Sequence, residues 1–199
     1  MDTEHIERAR ELYVEKFKGR FALDPELVLT AQHASYILQE LDEREARIVL
    51  ELGCGFSTIL LRTWAEKSGA RVITGDSDEN ILKCLEKEYS YKDMHTFRKL
   101  KSPSFYEVLK GRCDCVFVDH WTQLYDRIED IPWIITLVSP TGFIVFTDCR
   151  TETNYEKHIK RHANALGFDF SVIEETRTDI TSAIGIATRR EKTPMNRVS

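Results

Sequence analysis

Glu51-Leu52-Gly53-Cys54-Gly55-Phe56-Ser57-Thr58 (ELGCGFST) follows the apolar run Ile48-Val49-Leu50. A short buried strand here ends in a glycine turn and passes straight into a helix. Such a turn presents backbone amides and a helix N-terminus to a nucleotide-like ligand. Gly53 and Gly55 allow torsions and a close approach that a side chain would block. A dinucleotide-binding turn reads G-x-G-x-x-G. Counted from Gly53, its third glycine falls at Thr58, so that fingerprint is incomplete.

A strand–helix rhythm runs on from this turn. Thr58–Lys67 has helical spacing and stops at Gly69. Arg71–Gly75 is a second strand, Asn80–Tyr89 a helix, and Met94–Leu100 a third strand. Ser104–Leu109 is a short helix. Cys115–Val118 is a continuous apolar run, as a buried parallel strand requires. Tyr125–Leu137 is a helix interrupted at Pro132, Gly142–Phe146 a fifth strand, and Asn154–Leu166 a helix ending at Gly167. Phe168–Glu174 and Ser182–Thr188 are two closing strands joined by a polar segment too short for a parallel crossover, hence an antiparallel hairpin. Upstream, Ile6, Ala9, Leu12, Tyr13 and Phe17 form a helical stripe, and Asp24-Pro25 reads as the start of a helix reaching about residue 43. The expected organisation is an N-terminal helical segment (1–44), a ligand-binding α/β domain (45–190) and a polar tail (191–199).

In open parallel sheets ligands bind beyond the carboxyl ends of the strands. Asp76, closing the second strand about twenty residues after the glycines, is placed to accept from both hydroxyls of a ribose. Asp78 reads as the cap of the next helix. Ser102, in the loop after the third strand, is a candidate for an adenine edge. After the fourth strand, Asp119-His120-Trp121 sets a carboxylate, an imidazole and an indole at the mouth of the site.

Five parallel strands closed by an antiparallel hairpin, with E-x-G-x-G in the first loop, resemble class I S-adenosylmethionine (SAM)-dependent methyltransferases. The stretches VFVDHW (Val116–Trp121) and FTDC (Phe146–Cys149) resemble segments of the catechol O-methyltransferase-like small-molecule O-methyltransferases. The resemblance implies an α/β Rossmann-like fold with a seven-stranded, mainly parallel sheet and helices on both faces. It implies SAM as cofactor, with Glu51, Gly53, Gly55 and Ser57 at its amino-acid end, Asp76 on the ribose, and Ser102, Asp119 and Trp121 along the rest. It makes Asp119 and Asp148 candidate ligands of a divalent metal such as magnesium. Two positions depart from the family pattern: its catalytic lysine is Thr122 here, and its metal-binding asparagine is Cys149. A thiol is a poor partner for a hard cation, so Asp119 or His120 becomes the candidate for taking a proton from an acceptor hydroxyl. The alternatives are a SAM-binding protein that transfers nothing, or an NAD-dependent oxidoreductase.

The remaining features set the class. The 199 residues fit one domain with a sizeable core. A net charge of -5 argues against a broad basic surface for nucleic acid. Lys157, Lys160 and Arg161 read as a solvated helix face. No apolar run nears the roughly 18 residues that span a bilayer, and the charged N-terminus lacks a signal-peptide core. A cytoplasmic protein with a small-molecule acceptor, and neither nucleic acid nor membrane as partner, is expected. Five irregularly spaced cysteines read as reduced and structural, with Cys113 and Cys115 on one face of a strand. Phe17, Phe21, His33, Tyr36 and Tyr125 are available to an acceptor pocket, and none is singled out.

Overall fold

The computed structural model describes residues 3–17, 29–89, 94–99, 107–119, 124–149, 154–177 and 180–190. In chain order the elements are α1 (Thr3–Phe17), α2 (Ala31–Glu43), β1 (Ile48–Leu52), α3 (Phe56–Ser68), β2 (Arg71–Asp76), α4 (Glu79–Tyr89) and β3 (His95–Lys99). There follow β4 (Cys113–Val118), α5 (Leu124–Leu137), β5 (Val138–Thr147), α6 (Asn154–Ala165), β6 (Phe168–Arg177) and β7 (Ile180–Arg189). The strands form one sheet of order β3-β2-β1-β4-β5-β7-β6. Strands β1 to β5 pair in parallel, and β7 lies antiparallel between β5 and β6. The fold is the Rossmann-like α/β architecture expected, closed by its hairpin.

Period-two alternation sorts each central strand between two cores. Val49, Cys115, Phe117 and Val145 face α1 to α4, while Leu50, Leu52, Val116 and Phe146 face α5 and α6. Lys157, Lys160 and Arg161 are exposed on α6.

Several expectations change. The helix expected from residue 25 begins, where described, at Ala31. Thr30, in extended conformation, caps it by accepting from the His33 amide at 3.1 Å. Asp24 and Pro25 lie outside the described residues. α5 is not interrupted at Pro132: the helix runs through it, with the ring exposed and Ile131, Ile134 and Ile135 buried around it. Burial of those three offsets the one backbone hydrogen bond proline forfeits. The hairpin strands reach further than expected, to an Arg177–Ile180 pair.

The largest correction concerns Cys113 and Cys115, which enter opposite cores. The β4–β5 register slips between them: Cys113 pairs Val138, but Cys115 pairs Phe143. This bulge breaks the alternation, and it is also why β5 starts at Val138 rather than Gly142. Gly142 is required there, because a Cβ would stand 2.8 Å from the backbone oxygens of both Cys113 and Asp114. Asp114 fastens the bulge. Its Oδ2 accepts from the Arg47 and Ile48 amides at 2.9 and 3.0 Å, and its Oδ1 from Ser139 Oγ at 3.2 Å. One carboxylate thus joins the starts of β1, β4 and β5. Asp114→Ala should cost about 2 kcal/mol, the scale of lost bonds to a charged acceptor. The check is urea denaturation, with a lower midpoint at unchanged slope.

Candidate functional site

The glycine turn is held from both sides at the carboxyl edge of the sheet. The Gly53 amide donates to the Gly75 carbonyl at 2.7 Å, and the Asp119 amide to the Leu52 carbonyl at 2.7 Å. Gly53 sits at φ 93°, a left-handed conformation that favours glycine. Gly55 differs: its backbone is extended, and a Cβ there would meet nothing within 4 Å. Among the described residues no packing demands glycine at 55. Thr58, in place of a third glycine, is buried, and its Oγ1 accepts from the Gly55 amide at 2.9 Å. It closes the first turn of α3 by a hydrogen bond that glycine could not supply.

Asp76 reaches the same turn. Its Oδ2 accepts from the Cys54 amide at 2.9 Å and from the Cys54 thiol at 3.1 Å, and its Oδ1 accepts from the Asp78 amide at 2.8 Å. It therefore braces the turn, half-buried, with one lone pair of Oδ1 left over. Burial, then the Asp76 carboxylate, pushes the Cys54 thiol far above its usual range, so it is neutral and a donor. Asp78 caps α4 as expected, accepting from the Asn80 amide at 2.8 Å.

Glu51 is fully buried. Its Oε2 accepts from Thr74 Oγ1 at 2.6 Å, while Oε1 has no partner among the described residues. Burial raises its pKa to about 8, against the pull of the Ser57, Thr74 and Thr58 hydroxyls beside it. The buried Ser57 Oγ also has no partner among the described residues. Thr74 Oγ1 lies 2.8 Å from His95 Nε2.

At the end of β4, half-buried Asp119 accepts from Thr147 Oγ1 at 2.6 Å. Tyr13, from α1, packs edge-on against Phe56 with centroids 5.8 Å apart. Burial, then the charge of Asp119, raises its pKa, so the phenol stands within the field of that carboxylate. Tyr13 and the Thr74–His95 pair were not singled out from sequence. Tyr13 shares the spacing of an ordinary core stripe, and no spacing rule links β2 to β3.

The structure thus gathers Glu51, Gly53, Gly55, Ser57, Asp76 and Asp119 at one edge. Ser102, His120, Trp121 and Thr122 lie outside the described residues. Asp148 is exposed at φ 57°, and Cys149 turns inward, fully buried: its amide donates to the Ala183 carbonyl at 3.1 Å, and its sulfur packs against Gly185. Among the described residues no group of three or more His, Cys, Asp or Glu side chains could hold a metal ion. No step below is routed through a divalent cation.

Residues 50–149 match the family model described as a methyltransferase domain. The chain belongs to this methyltransferase-domain family. No curated protein matches it in sequence. Solved structures similar to this methyltransferase domain include the O-methyltransferase TomG of Streptomyces achromogenes, involved in tomaymycin synthesis and crystallised with SAM. It is 17% identical, with TM-score 0.65, covering 96% of this chain and 92% of that one. An O-methyltransferase from Bacillus cereus, crystallised with S-adenosylhomocysteine (SAH), is 15% identical with TM-score 0.66 over the same shares, 96% and 92%. A precorrin-6y C5,15-methyltransferase from Geobacter metallireducens is 15% identical with TM-score 0.62, covering 87% and 96%. Likeness at these identities shows a shared fold.

Glu51 makes stability depend on pH. Unfolded, it titrates near 4.5; folded, near 8. Below about 4.5 both states hold the proton and its contribution is intact; stability falls as pH rises toward about 8. Glu51→Gln removes that dependence. The variant should therefore gain on the native chain by a few kcal/mol, roughly, between pH 5 and 8, read by urea denaturation at each pH without ligand.

Proposed function

We propose that the chain binds SAM and transfers its methyl group to a small-molecule acceptor, at a hydroxyl oxygen. The observation that carries this reading is the pairing of a buried carboxylate oxygen, Glu51 Oε1, that has no partner among the described residues, with space over Gly55 that none of the described residues fills. Both are accounted for by a ligand with a cationic amino-acid end lying close on the turn. The residues fit that cofactor. Glu51 and the Ser57 hydroxyl serve the amino-acid end, Gly53 and Gly55 allow the approach, and Asp76 uses its remaining Oδ1 lone pair for a ribose hydroxyl. Ser102 and Trp121 belong to the same proposed site, toward the adenosine. A dinucleotide is disfavoured because Thr58 fills the third glycine position and is built into the turn.

When bound, SAM supplies an activated methyl group on sulfur, so the difficult chemistry belongs to the cofactor. The chain's own work is to hold the acceptor in line and keep water out. Asp119, oriented by Thr147, is the proposed proton acceptor for the hydroxyl, with His120 beside it in sequence. The N-terminal segment, through Tyr13, forms the acceptor side. Among the described residues no helix is long and apolar enough to cross a membrane, and a cytoplasmic site of action is part of this reading.

Titration calorimetry tests it. SAM should bind and NAD should not. Gly55→Ala, which meets no internal obstacle, should keep its melting temperature yet bind SAM at least about tenfold more weakly, or about 1.4 kcal/mol. Heat with NAD and none with SAM overturns the reading. Transfer of labelled methyl to a panel of phenols, catechols and amines identifies the acceptor, and Asp119→Asn should lower kcat at least about a hundredfold.

A further inference from the structure

Three polar side chains on neighbouring strands form one buried hydrogen-bonded chain beneath the site. Glu51 lies opposite Thr74 in the β1–β2 register, and His95 begins β3, one strand further out. All three are at most 3% exposed. Thr74 has a single hydroxyl proton and gives it to Glu51 Oε2. It must then accept from His95, which places a proton on Nε2 of the imidazole. The ring stacks on Phe97 at 4.4 Å, so it cannot swing away. Burial, and then the charge of Arg62 on α3, holds its pKa down to about 3. The chain therefore has one direction, from the His95 Nε2 proton to Thr74 and from the Thr74 proton to Glu51.

This order leaves Glu51 Oε1 as the open end. Among the described residues the groups facing Glu51 are the Ser57 and Thr58 hydroxyls from α3, Thr74 from β2 with His95 behind it, and Asp119 beyond β4. Cys54, with Asp76 beside it, stands in the turn. No cation among them neutralises Glu51, so a bare carboxylate there is opposed by burial and by Asp119.

We infer that Thr74 and His95 are positioning residues that aim Glu51 at the cationic ammonium of the bound cofactor, and that Glu51 gives up its proton as that cation arrives. The inference rests on the SAM reading and adds two residues and a proton to it. The balance is simple: the carboxyl O–H bond breaks, one proton leaves to solvent, and the carboxylate stays paired with the unchanged ammonium.

The probe is SAH, which carries the ammonium but no transferable methyl. Calorimetry at neutral pH in buffers of differing ionisation enthalpy should count about one proton released per site, falling to none well above pH 8. Thr74→Val and His95→Met remove the chain and should weaken SAH binding at least about tenfold, raise KM for SAM with kcat largely kept, and lower the proton count. Thr74→Ser and His95→Gln keep a hydroxyl and a donor and should restore all three. Melting curves establish that each variant folds. If Thr74→Val fails to fold, the wild-type proton count and the Thr74→Ser rescue still decide. Tight SAH binding with no proton release, or Val and Met variants that bind as the native chain does, overturns this inference and leaves the SAM reading standing. No binding of SAH at any pH from about 6 to 9 overturns both.

Discussion

The carboxyl end of β1 cannot move without taking its neighbours along. Its last carbonyl is bonded by the Asp119 amide from β4, the next amide bonds back to Gly75 of β2, and Asp76 clasps the Cys54 amide. Three parallel strands thus converge on four residues, Leu52 to Gly55. Parallel pairing makes this convergence available, because every strand presents its carboxyl end at the same edge. The opposite pole is joined by a single carboxylate, Asp114, which gathers the starts of β1, β4 and β5. Strand positions are set at one pole by Asp114 and exploited at the other by the turn.

Within this frame the buried polar chain is an anomaly of the hydrophobic core. Valine or leucine at 51, 74 and 95 would pack without any desolvation penalty. The two titratable ends also pull in opposite senses. Glu51 has its pKa raised, so its contribution is lost as pH climbs from about 4.5 to about 8. His95 has its pKa lowered, so its contribution is lost as pH falls from about 6.5 to about 3. Between about 4.5 and 6.5 the slopes oppose, and neither end alone dictates the optimum. If Glu51 meets a ligand as proposed above, this cost is offset there, because a fixed oxygen loses less entropy on pairing than a mobile one.

The succession of strands along the chain, the closing hairpin and the turn at Gly53 were legible because each has a local signature: apolar runs, glycines at fixed offsets, a connection too short for a crossover. Asp78 was legible as a cap for the same reason. The Cys113/Cys115 pair was not, since a bulge depends on the partner strand and on Gly142 meeting the Cys113 carbonyl. Pro132 misled because the penalty is local while the compensating burial of Ile131, Ile134 and Ile135 is tertiary. The readable part of the site was its loops. Its support, Thr74 to His95, joins residues 21 apart, and nothing in either residue's immediate sequence announces the other.

The end of β5 carries the last distinction. Asp148 adopts a left-handed conformation, and the Cys149 amide is captured by Ala183 of the hairpin. The thiol is thereby driven under β7, against a glycine that leaves just enough room. A residue so placed cannot serve the carboxyl edge, whatever its chemistry. The carboxylate of Asp119 remains there, steadied by Thr147 and half-buried. The similar solved structures include enzymes named for oxygen and for carbon positions, so the shared fold does not choose the acceptor atom. At the edge itself, α1 places the Tyr13 phenol in the field of Asp119.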